Sequence, residues 1–100
     1  MWDHEVFLIQ VTKQRDDIGD MTEETQESYA FCNEKSIGQS EFYQAHAKGF
    51  KPEIKLEINT IDYNNQQKVR YKGREYRILR TYTSGEITEL TLEGDIYRNS

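Results

Sequence analysis

Lys68-Val-Arg-Tyr-Lys-Gly-Arg-Glu-Tyr-Arg-Ile-Leu-Arg-Thr-Tyr-Thr-Ser-Gly-Glu-Ile-Thr-Glu-Leu-Thr-Leu-Glu-Gly-Asp-Ile96 decides the fold. Apolar and β-favouring residues recur here at period two, the spacing that places alternate side chains on opposite faces of a strand. Two glycine turns interrupt the pattern. Lys72-Gly73 reads as a two-residue hairpin whose glycine accepts a positive φ, and Thr83-Ser-Gly-Glu86 reads as a second turn. The segment is therefore predicted to be a three-stranded meander: Gln67 to Tyr71, Arg74 to Tyr82 and Ile87 to Glu93, with Leu90 and Leu92 facing inward.

Working outward, Ile54, Leu56 and Ile58 alternate with Lys55 and Glu57, the mark of a half-buried strand. Ile61 to Gln66 is polar, and its Asn64-Asn65 pair suits a turn. Near the amino terminus Glu5 to Thr12 is apolar on both alternations, which predicts a strand covered on both faces. Arg15-Asp-Asp-Ile-Gly-Asp20 forms an acidic turn, and Glu24 to Lys35 returns with Tyr29 and Phe31 opposite Ala30 and Cys32. The pair predicts a long hairpin with an exposed acidic tip. Ser36-Ile-Gly-Gln39 offers a capping-box pattern ahead of Glu41-Phe-Tyr-Gln-Ala-His-Ala-Lys48, and Gly49 suits the position after a helix. A short helix is predicted over 38–48, packed through Phe42 and Ala45, with Lys51-Pro52 ending it. Six short antiparallel strands with one helix in a loop excursion predict a mainly β fold, a small barrel or sandwich that hides its edges.

One hundred residues with 35% apolar content supply one modest core, so a single domain over residues 1–100 is expected, with Tyr97 to Ser100 as a loose tail. The mean hydropathy of -0.94 is low, but twelve aromatic residues argue against wholesale disorder. Val6 to Ile9 is too short and too closely preceded by Asp3 and Glu5 to be a signal or a membrane span, so the chain is expected to stay inside a cell and to involve no membrane. Cys32 is the sole cysteine and is expected to be a small packed strand residue. The net charge of -5 is uneven: ten acids fall in residues 1–50 against Lys13, Arg15, Lys35 and Lys48, whereas Lys68, Arg70, Lys72, Arg74, Arg77 and Arg80 form a basic run. Such asymmetry suits subunits that pair an acidic face with a basic one.

Catalytic chemistry lacks a constellation. His4 and His46 are the only histidines, neither stands at ligand spacing from Cys32 or from the other, and no phosphate-cradling glycine motif occurs. No carboxylate lies in an apolar run that would raise its pKa. The expectation is a non-enzymatic protein without cofactor or metal. The basic run interleaves with Tyr71, Tyr76 and Tyr82, as in barrels that hold single-stranded nucleic acid by phosphate charge and base stacking. On that rival reading Arg70, Tyr71, Arg74 and Arg77 form the binding surface. Parity counts against it: Lys68, Arg70 and Lys72 share one alternation, but Arg74 and Arg80 fall with Tyr76, Ile78 and Tyr82, and Arg77 with Leu79 and Thr81. Net acidity also opposes affinity for a polyanion.

The ordered set of an amino-terminal strand from Asp3 to Ile9, an Asp-x-x-Gly turn at Asp16 to Gly19, Ser40-Glu-Phe-Tyr-Gln-Ala45, Val69-x-Tyr-x-Gly-x-x-Tyr-x-Ile78 and Ile87 to Leu92 resembles the head-tail joining (head-closure or adaptor, connector) proteins of tailed bacteriophages. The resemblance covers about 4–96, and it lies in the order and spacing of these pieces rather than in any one of them. It implies a virion structural protein made in the bacterial cytoplasm, a β-barrel with a helix and loop excursion at about 36–53, and several copies forming a ring at the head-tail interface between portal or adaptor ring proteins and tail proteins. It also implies that the excursion carries ring contacts, which makes Phe42, Tyr43, Phe50 and Lys51 the interface candidates. DNA would pass through the channel without specific binding, the acidic surplus weakly repelling phosphate. The isolated chain is expected to be monomeric or weakly associated, with the ring forming on a partner that raises the local concentration of sites.

Overall fold

The computed structural model describes residues 3–94, so the expected tail at Tyr97 to Ser100 lies outside the described residues. Six strands follow the chain as β1 (His4–Arg15), β2 (Met21–Lys35), β3 (Pro52–Asn59), β4 (Lys68–Tyr71), β5 (Arg74–Ser84) and β6 (Ile87–Gly94). One helix, α1 (Gln39–Ala47), lies between β2 and β3, and a single 3-10 turn spans Thr60–Asp62. All pairings are antiparallel, in the closed order β1-β2-β3-β6-β5-β4. The closing seam joins β4 to β1 through Phe7 and Arg70, Leu8 and Val69, and Ile9 and Lys68. This is the mainly β barrel with one short helix that the alternation and turns predict.

The turns obey their chemistry. Lys72 and Gly73 have φ of 51° and 80°, both positive, as the two-residue hairpin turn that matches strand twist requires. At the β1–β2 tip the Asp16 carboxylate accepts from the Ile18 and Asp20 N–H groups at 3.1 and 2.8 Å, while the Asp16 carbonyl accepts from Gly19 N–H at 3.0 Å. The loop is thus an ordered turn whose position 19 needs a glycine-like φ of 90°.

Each strand gives the interior only one or two apolar side chains: Val6 and Leu8, Ala30 and Cys32, Leu56 and Ile58, Val69 and Tyr71, Tyr76, and Leu90 and Leu92. Ile54, Tyr63 and Ile78 pack against them. The Tyr71 hydroxyl donates to Glu34 at 2.7 Å. Elsewhere the buried Thr88 hydroxyl lies 3.0 and 2.9 Å from those of Thr60 and Thr83.

Three expectations need correction. β1 is paired on both edges and buries Val6, Leu8 and Ile9, but Phe7 and Val11 stand on an exposed outer face rather than under cover. The capping box at Ser36 to Gln39 does not form: Gly38 is the N-cap, without a side-chain cap bond. In β5, Ile78 pairs with Leu92 and Arg80 with Thr91, so Leu79 is an extra, bulged residue. The bulge reverses the alternation and puts Arg80 on the same outer face as Arg77, where sequence parity had separated them.

Leu92 is fully buried at the middle of this thin core, so Leu92→Ala is expected to cost about 2–5 kcal/mol, read as a lower midpoint in urea unfolding. Burial, with Glu34 adding to it, pushes the Cys32 thiol up to about 11. Cys32 is therefore expected to ignore a thiol reagent at about pH 8 in the folded protein and to react stoichiometrically once denatured; reaction at the same rate in both states would contradict the packing.

Candidate assembly surface

The excursion is held by polar contacts rather than by apolar packing. No residue of α1 is buried. Its anchor is Glu41, which accepts from Lys55 of β3 at 2.6 Å and from the Thr91 hydroxyl of β6 at 3.3 Å, and lies 3.8 Å from Arg80 of β5. Burial disfavours its charge, but Lys55, Arg80 and Thr91 outweigh that cost and hold the carboxyl below the usual carboxylate range. Past the helix, Phe50 N–H donates to the Ala45 carbonyl at 2.9 Å and Lys51 N–H donates to Glu93 at 2.7 Å. Glu93 also accepts from Arg77.

This docking leaves the aromatic side chains outside. The helix turns Glu41, Gln44, Ala45 and Lys48 toward a shallow cleft floored by Phe50, Leu79 and Thr91. Phe42, read both as packing the helix and as an interface candidate, lies outside the cleft lining at 38% exposure, 6.0 Å from the Tyr43 ring and 5.6 Å from His46. The four interface candidates Phe42, Tyr43, Phe50 and Lys51 are all exposed, but they do not share one patch: Phe50 lines the cleft, and the paired Phe42 and Tyr43 rings lie outside its lining.

The rival surface is differently placed. Arg70 forms a two-pronged ion pair with Glu27, at 2.9 and 2.6 Å, and stacks over Phe7 at 5.0 Å. That fork holds Glu27 below the usual carboxylate range. Arg74 pairs with Glu53 at 3.4 Å and lies over Tyr76, and Arg77 pairs with Glu93. Lys68 meets Glu75 at 3.6 Å, Lys72 meets Glu34 at 3.6 Å, and Arg80 meets Glu41. Every cation of the basic run therefore has a carboxylate of the same chain beside it. Tyr71, 2% exposed, points into the core, where burial and the bond to Glu34 raise its pKa, and it presents no face for a base to stack on.

A second exposed aromatic group went unnoticed in the sequence. Phe7 pairs across from Tyr29 and Glu5 from Phe31, which lines Phe7, Tyr29 and Phe31 along the outer face of β1 and β2 in edge-to-face contacts of 5.8 and 5.3 Å. The signal was present as an aromatic alternation, but alternation does not say which face is in. Among the described residues no cluster of three or more His, Cys, Asp or Glu is placed to hold a metal ion, and no helix is long and apolar enough to cross a membrane. The sequence matches no protein-family model, and no curated protein matches it.

Because the Glu41 pKa is depressed, its ion pairs contribute fully above the ordinary carboxylate value of 4.5, and that contribution is lost as pH falls through the lower folded value. α1 is expected to loosen from the barrel in that acid window, seen as a shift of the Ala45 methyl resonance. Glu41→Gln should abolish the titration of that signal; an unchanged titration in the variant would assign it to another group.

Proposed function

We propose that this chain is a structural joining component of a tailed phage or prophage particle, one that self-associates into a ring at the head-tail interface between portal or adaptor proteins and tail proteins. The observation that carries the reading is the division of labour on the surface. Charges of the basic hairpin are spent inside the chain on Glu27, Glu34, Glu53, Glu75, Glu93 and Glu41, while aromatic side chains at Phe42, Tyr43 and Phe50 stand exposed. Exposed aromatic residues beside polar ones are the composition of protein contact surfaces. A phosphate-binding surface would keep its cations free. The barrel with a helical excursion between its second and third strands is the architecture that the sequence resemblance implies for a joining protein, and the net charge of -5 suits a wall along which DNA slides without being held.

The excursion supplies the contacts, and a partner ring that presents many sites at once makes them effective. In particles assembled from purified components, Tyr43→Ala with Phe50→Ala is expected to abolish tail attachment while leaving the far-ultraviolet circular dichroism of the chain unchanged, because both side chains are exposed. Normal attachment in that variant would remove the excursion from the interface. Binding to a labelled single-stranded oligonucleotide is expected to be absent at micromolar protein. Salt-sensitive binding that disappears with Arg70→Glu and Arg74→Glu would establish the nucleic-acid function instead.

A further inference from the structure

The β1–β2 hairpin runs well past the barrel. β1 meets β4 only through Ile9, and β2 meets β3 only from Cys32 onward, so among the described residues Gln10–Arg15 and Met21–Gln26 pair with nothing but each other. At about 3.4 Å per residue, six residues of each strand make a two-stranded ribbon about 20 Å long. A bare ribbon in water is marginally stable and gains by being covered. Its tip is ordered by Asp16, yet holds out Ile18 at 81% exposure, with Met21 at 59% beside it. The ribbon is also acidic: Asp16, Asp17, Asp20, Glu23 and Glu24 against Lys13 and Arg15.

The complementary surface is the cleft between α1 and β5. Its apolar lining is Ala45, Phe50 and Leu79; Lys48 lines it too, as does Glu41, whose charge is taken up by Lys55 and Arg80. Residues 42–51 contain no acid, and neither Lys48 nor Lys51 has a carboxylate within ion-pair distance among the described residues. Beside the cleft, among the described residues Arg80–Ser84 of β5 pair only with β6, and their other edge has no strand beside it. The cleft lies on the wall formed by β3, β6 and β5, whereas the ribbon springs from β1 and β2; in the closed order β1 and β6 are three strands apart, on opposite walls. Within one copy no ribbon residue lines the cleft, which leaves it for another chain.

We propose that the acidic ribbon of one copy docks in the Lys48–Phe50–Leu79 cleft of a second copy, Ile18 and Met21 covering the apolar floor and the tip acids facing Lys48 and Lys51. Two different surfaces on opposite walls make a head-to-tail contact, the geometry that closes into a ring when the rotation per subunit allows it. Opposite charge sets the orientation and disfavours ribbon-to-ribbon pairing. The inference rests on the reading of this chain as a ring-forming component and names the surfaces that would form the ring.

Disulfide trapping of the full chain tests it, since the buried Cys32 stays out of the reaction. A chain with Ile18→Cys is mixed with a mass-tagged chain carrying Phe50→Cys, or Lys48→Cys as a second acceptor, under mild oxidation. The expected main product is the mixed dimer, reduced severalfold by Asp17→Lys with Asp20→Lys on the ribbon and restored when Lys48→Glu with Lys51→Glu is added to the Phe50→Cys chain. Homodimers of the Ile18→Cys chain as the main product, or no mixed dimer with either acceptor, would overturn the proposed contact. A ring assembled on portal protein without the mixed cross-link would refute these surfaces and keep the joining function; the cross-link without any particle association would do the reverse.

Discussion

Three residue pairs, Phe7 with Arg70, Leu8 with Val69 and Ile9 with Lys68, close the sheet, and the rest of the molecule depends on that seam. With one or two inward apolar residues per strand, an open sheet of this sequence would leave Leu8 and Val69 at a wet edge. Closure surrounds them and removes the backbone edge that an open sheet would offer to any other strand. The short β4 is enough because its neighbour β5 continues the ladder through Lys68 to Tyr71 and ties the seam to the rest of the meander.

Closure also determines where the charges go. Bringing β4 beside β1 places Arg70 within reach of Glu27 on β2, 43 residues away, and seats its guanidinium over Phe7. The β5–β6 ladder brings Arg77 to Glu93, and the excursion brings Glu41 to Lys55 and Arg80. Exposed pairs of this kind contribute little stability one by one. Their larger effect is on recognition: a basic run that would attract polyanions is neutralised, whereas the Lys48 and Lys51 ammonium groups on the excursion have no ion-pair partner among the described residues.

The attached helix has no buried residue, and among the described residues the outer ribbon strands pair only with each other. On the proposed reading both are surfaces completed by other chains, in which the apolar area that the barrel cannot hold becomes contact area. The same reasoning covers the Phe7, Tyr29 and Phe31 row, in which Arg70 covers the Phe7 ring while Tyr29 and Phe31 remain about half exposed.

Local chemistry was legible in the sequence. Period-two alternation at Ile54 to Ile58 and along the meander, the Lys72-Gly73 hairpin, the Asp-rich tip and the helix ending near Gly49 all follow from interactions between residues a few positions apart, and they were enough to define six antiparallel strands and one short helix. The helix at Gln39–Ala47 falls where that reading places it. What only the tertiary structure decided is which side of each element faces in. The Leu79 bulge moved Arg80 to the outer wall, Glu41 rather than Phe42 became the anchor of the helix by meeting Lys55, and Phe7 with Tyr29 came outside because Val6 and Ala30 filled the interior. Alternation fixes that neighbouring side chains oppose one another, not which set is buried; that choice belongs to strand partners tens of residues away.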